Sequence, residues 1–203
     1  MRIAALLLAA LLVSPLPAVT KNLPLQAVKL FRGDFKGQAR GCTAWYYRYK
    51  SGPVVALTNA HCVSDAKGNP LHEATFTIGG LKAELYATNV MRDLAALYVA
   101  DVPFNQRTLD LATEQADFAD HVTMIGYPAG YLLVSVGTVS NPALSWSFRP
   151  FPVAVYDFLG GPGSSGSPVL DSSGRVTGML SFAFGPYSGG PTLADLRLFL
   201  HGV

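Results

Sequence analysis

At 203 residues the chain can hold one compact unit or two small halves, and a make-up that is 50% hydrophobic and only 14% charged excludes an intrinsically disordered protein. Fifteen Lys and Arg against thirteen Asp and Glu leave a formal charge of +2. The basic residues are scattered, which excludes the electrostatic footprint of a nucleic-acid binder.

In chain order, Arg2 precedes an unbroken apolar run from Ile3 to Val13, followed by Pro15, Pro17 and small residues near Ala18. That order predicts a secretory signal peptide over residues 1–20, cut between Ala18 and Lys21. The alternative is a membrane anchor, but eleven apolar residues fall short of the ~20 that a bilayer core needs. An exported protein, secreted or periplasmic, with no stable membrane anchor after signal removal is therefore expected. Cys42 and Cys62 suit such a chain as one bridge, worth roughly 3 kcal/mol by chain entropy. The alternative is two free buried thiols.

From Leu25 onward, short β-rich runs alternate with turn residues, the pattern of an all-β protein. The runs are Ala27–Phe31, Cys42–Tyr49, Val54–Thr58, Thr75–Ile78, Leu94–Val99, Val122–Gly126, Val134–Val139, Val153–Tyr156 and Val176–Phe184. Turns are expected at Arg32-Gly33-Asp34, Ser51-Gly52-Pro53, Lys67-Gly68-Asn69-Pro70, Asn141-Pro142 and Asp171-Ser172-Ser173-Gly174. The alternation weakens between Pro103 and Asp120, which predicts a junction between halves at 21–107 and 108–203. Thr192 reads as the N-cap of a short closing helix that ends near Leu200.

Three stretches carry chemistry. In Thr58-Asn59-Ala60-His61-Cys62-Val63 a histidine follows a β-run and precedes a cysteine, so a bridge beside the ring would fix a general base. In Arg92-Asp93-Leu94-Ala95-Ala96-Leu97 a carboxylate opens an apolar strand and needs a partner there. Asp65 and Asp101 rank below it because each lies in a polar or proline-containing turn. The loop from Gly160 to Val169 delivers Ser165 just before an apolar run, and its glycines allow successive N–H groups to converge on one oxyanion. Each stretch alone reads equally as structure: a buried histidine, a turn-capping aspartate, a Gly/Ser hairpin.

Together they resemble the chymotrypsin-fold, trypsin-like serine proteases, with a flavour of bacterial and viral members and of the protease domain of periplasmic quality-control enzymes. The family's Thr-Ala-Ala-His-Cys element is matched by Thr58 to Cys62, its Asp-Ile-Ala-Leu-Leu element by Asp93 to Leu97, and its Gly-Asp-Ser-Gly-Gly-Pro element by Gly163 to Pro168. The resemblance covers the chain from Leu25 to the end. It implies two packed six-stranded antiparallel β-barrels, with His61 and Asp93 from the first and Ser165 from the second. It also implies a serine endopeptidase in which the N–H groups of Gly163 and Ser165 form the oxyanion hole and Ser181, Phe182 and Ala183 pair with extended substrate.

By the same register, Leu159 should lie at the base of the pocket for the residue before the scissile bond. No carboxylate is there, so a neutral, apolar residue is expected. Ser164 stands where digestive members carry an aspartate, so activation by insertion of a new N-terminus is not expected. No cofactor and no metal are implied, and His72, His121 and His201 read as surface residues. The expected partner is a protein or peptide substrate of a monomeric enzyme. The alternative is a catalytically silent relative that binds a protein or peptide with the same scaffold.

Overall fold

The structure, a computed structural model, describes residues 23–49, 52–147 and 149–202, so the expected signal segment lies outside the described residues. Strand β1 (Val28–Phe35) turns into β2 (Gln38–Arg48) through Lys36 and Gly37, with φ of 52° and 79°. Two left-handed residues match the twist of a two-residue hairpin, and Asp34 Oδ1 accepts the Gly37 N–H at 3.1 Å. The turn expected at Arg32-Gly33-Asp34 is thus three residues further on. Gly33 serves close packing, since a β-carbon there would lie 3.3 Å from the Phe76 ring.

With β3 (Val54–Thr58), β4 (Thr75–Ile78), β5 (Leu81–Asn89) and β6 (Leu94–Val99), these strands close a barrel in the order β1-β2-β3-β6-β5-β4. Inward residues such as Phe31, Tyr46, Ile78 and Leu97 fill it, as a six-stranded barrel requires.

The second half forms one seven-stranded sheet, not a second six-stranded barrel. It contains β7 (His121–Gly126), β8 (Leu133–Leu144), β9 (Val153–Tyr156), β10 (Pro168–Leu170), β11 (Val176–Met179), β12 (Phe182–Phe184) and β13 (Tyr187–Gly190). The order is β11-β10-β7-β8-β9-β13-β12. The β11 end is tied to the segment after β13 by isolated links, the Gly178–Thr192 bridge and the Met179 N–H to Pro191 carbonyl bond at 3.3 Å. Pro191 has no N–H to return, so a continuous ladder cannot form there. Asn141-Pro142, read as a turn, lies inside β8 where the register with β9 slips.

Helix α1 (Ala60–Val63) is a single turn after β3. Helix α2 (Leu193–His201) starts in a capping box in which Thr192 Oγ accepts from the Asp195 N–H and the Asp195 carboxylate accepts from the Thr192 N–H. One hydrophobic cluster joins the halves, with Val28, Trp45 and Leu94 from the barrel packed with Ile125, Leu170 and Leu196. Among the described residues no helix is long and apolar enough to cross a membrane.

Candidate active site

α1 carries His61 at the mouth of the barrel, and the Cys42–Cys62 disulfide (Cα–Cα 6.4 Å) ties that turn to β2. Arg40 adds a second tie, its Nη1 donating to the carbonyls of His61 at 3.1 Å and Ser64 at 2.5 Å. Across from it, Asp93 ends a tight turn before β6 with φ of 56°, a left-handed conformation that costs a non-glycine residue free energy and calls for external support.

The two residues meet at three points. His61 Nδ1 lies 2.8 Å from Oδ2 and 3.1 Å from Oδ1 of Asp93, and the His61 backbone N–H donates to Oδ1 at 2.9 Å. An ionised carboxylate only accepts, so Nδ1 bears the proton and Nε2 is left as a basic nitrogen. The imidazole side chain is 47% exposed and the carboxylate 14%. Burial pushes the Asp93 carboxyl up, but the hydrogen bonds and charge of His61, together with the Ser181 hydroxyl, outweigh it and hold the group below the usual carboxylate range.

A ring nitrogen of His61 lies within 4.8 Å of both Cys42 and Cys62 sulfurs. Those sulfurs are bonded to each other, so they offer no thiolate to a metal. Asp65 instead caps its own turn, accepting from Lys67 and Asn69. His72, His121 and His201 are exposed and outside the site.

Ser165 arrives on the loop before β10, docked onto the barrel. The Thr43 N–H donates to the Ser165 carbonyl at 2.8 Å, Thr43 Oγ1 donates to the Gly163 carbonyl at 2.8 Å, and the Tyr127 N–H donates to Thr43 Oγ1 at 2.8 Å. Gly163 has φ of 95°, and a β-carbon on it would come within 2.5 Å of the Tyr127 carbonyl. The Pro162 carbonyl accepts the Ala129 N–H at 2.7 Å, and a planar trans peptide then turns the Gly163 N–H the opposite way. Neither that N–H nor the Ser165 N–H has a partner among the described residues. Ser164 closes the loop by accepting the Gly161 N–H at 3.1 Å. The Ser165 hydroxyl likewise makes no hydrogen bond among the described residues, the His61 ring included. Unliganded active sites commonly show such slack.

Beside Ser165 a cavity of about 330 Å³ runs between Gly160–Pro162 and Leu180–Ala183. It includes Phe182 and Ala183 but not Leu159, whose side chain is 70% exposed. The expectation for Leu159 is not met by the cavity: in the loop after β9, Phe158 is buried against Tyr156, Leu159 is exposed and Gly160 lines the pocket. A β-carbon at Gly160 would lie 2.7 Å from Ser188 Oγ and 3.2 Å from the Ala183 methyl. Gly160 and Ala183 therefore line that end of the pocket in place of Leu159.

β12 is the last strand of its sheet and pairs only with β13. Ser181, just before it, accepts from Asn59 Nδ2 at 2.8 Å. Sequence reading missed Thr43, Asn59 and Arg40. Only Asn59 left a signal, as a polar residue two positions before His61 where the family element carries alanine.

This fold belongs to a class whose family model matches here. Residues 42–179 match the trypsin-like peptidase domain, and the chain belongs to that family, the serine endopeptidases. Among solved structures the chain is similar to Rv3671c protease in its inactive form, at 21% identity and a TM-score of 0.73, with 94% of this chain and 97% of that one covered. The active form of Rv3671c protease from M. tuberculosis gives 22% and 0.73, covering 93% and 87%. A serine endoprotease from Yersinia pestis gives 18% and 0.69, covering 88% of this chain and 62% of that one. No curated protein sequence matches.

Proposed function

We propose that the chain cleaves peptide bonds by acyl transfer, with Ser165 as nucleophile, His61 as general base and Asp93 as the group that orients the ring. Ser165 Oγ attacks the carbonyl carbon while His61 Nε2 takes its proton. The tetrahedral oxyanion is held by the N–H groups of Gly163 and Ser165. Its collapse expels the amine, which takes the proton back from His61, and water then releases the acyl group by the same route. The observation that carries this reading is the His61–Asp93 pair, which commits Nδ1 and frees Nε2 beside a loop with two unpartnered N–H groups.

Substrate lies along Ser181, Phe182 and Ala183 as an added strand, and a neutral, apolar side chain before the scissile bond suits a cavity lined by no charged residue. The disulfide and the apolar N-terminal run support action after export. A fluorophosphonate, which needs an activated serine, tests the assignment. Labelling of the wild type and none of S165A or H61A is expected. Equal labelling of S165A overturns the assignment, and an inert wild type favours the silent binding relative.

A further inference from the structure

Asn59 stands where the family element carries alanine, directly before the turn that holds His61, and it is fully buried. Its Nδ2 donates to the Asp93 carbonyl at 2.9 Å and to Ser181 Oγ at 2.8 Å. The carbonyl fixes the orientation of the amide, since a C=O can only accept and must therefore face the NH₂ group. Both amide hydrogens are then used, one on each partner. The Ser181 hydroxyl, having accepted, turns its own proton away from Asn59. Asn59 Oδ1, by contrast, is buried with no partner among the described residues. The amide thus acts through its two donated bonds.

The three groups that Asn59 links come from distant parts of the chain: the end of β3, the left-handed turn at Asp93, and the residue that opens the substrate-pairing edge in the second half. The left-handed backbone of Asp93 needs restraint from outside the turn, and the bond from Asn59 to its carbonyl supplies it.

We propose that Asn59 is a positioning residue for the His61–Asp93 pair: its amide clamps the Asp93 main chain to Ser181 and so holds the carboxylate under the imidazole. The proposal rests on the acyl-transfer reading above. Asn59 does not touch substrate, so its loss should act on kcat and leave KM nearly unchanged.

The experiment compares the full chain with N59A, S181A and the double variant, using a chromogenic peptide for kcat and KM and a fluorophosphonate for rate and end point. N59A is expected to lose about tenfold in kcat with KM within twofold, to label more slowly while reaching the wild-type end point, and to melt somewhat lower, because the Asp93 carbonyl and the Ser181 hydroxyl lose their donor. In the S181A background the same change should cost clearly less, because the two residues act as one unit. The proposal is overturned if N59A keeps kcat within twofold, or if the losses from N59A and S181A multiply independently. Should N59A fail to accumulate as folded protein, N59S decides, since it keeps a small polar side chain without the amide donor: a loss in kcat with KM within twofold supports the clamp, and none overturns it. Full labelling of S165A in the same series would instead sink the acyl-transfer reading itself.

Discussion

Gly163 shows how one missing β-carbon governs the site. Its φ of 95° and the nearness of the Tyr127 carbonyl leave no room for a side chain, so G163A must move the peptide that carries the N–H. Losing one well-aimed donor lowers kcat by on the order of 10²-fold in enzymes that use an oxyanion hole, and a loss of that size with little change in KM is expected in peptide hydrolysis by G163A. Asp93 supplies a second test. Its carboxyl titrates below its unfolded value, so its contribution to stability is complete above about pH 4 and is lost as pH falls through the lower folded value. Urea unfolding between pH 2 and pH 6 should therefore show a shallower acid-side decline in D93N than in the wild type. His61, Asp93 and Ser165 could be proposed from the sequence because glycines, a cysteine and apolar strands bracket them in order, and the His61–Asp93 contact supports that proposal. Leu159 was misplaced because register alone does not say which way a loop side chain faces.

Among the elements, α2 does more than close the fold. The first-turn Asp195 takes the Thr192 N–H and hydroxyl on one oxygen and the Arg92 guanidinium on the other, and Arg92 also lies 3.8 Å over the Phe151 ring. Both charges are largely out of water, with side chains 16% and 8% exposed. Removing one partner of such a pair leaves the other uncompensated at a cost of about 3–5 kcal/mol. D195A should lower the midpoint of urea unfolding accordingly, and a shift under 1 kcal/mol would show that Arg92 finds another partner. Most strands were readable from β-rich runs, whereas β5, β10 and β13 were not singled out. β5 mixes Lys, Glu and Ala into its alternation, β10 has three residues behind a glycine loop, and β13 is Tyr-Ser-Gly-Gly, whose pairing is fixed by neighbours instead of by propensity.

At the scale of the molecule, Thr43 fastens the serine loop to the barrel, although nothing in the residues around it signals such a role. Fully buried, its hydroxyl accepts from Tyr127 and donates to Gly163. T43V keeps the shape but strands the Tyr127 N–H and the Gly163 carbonyl, each at about 1–3 kcal/mol. Differential scanning calorimetry should record a lower Tm, and the fluorophosphonate rate should fall with it. The family and the strand-rich class were legible from three short elements. The seven-stranded second sheet was not, because which strands pair across it is set by long-range contacts that local pattern does not reveal.

The free side of β12 has a further consequence for what this protein can consume. Under the proposed strand addition, a guest must lend several residues of backbone already released from its own ladders and helices, because the docking bonds would be main-chain bonds. On that proposal compact proteins would meet this enzyme at the pace of their own breathing, and a target's local unfolding, more than its side-chain lettering, would decide how long it survives.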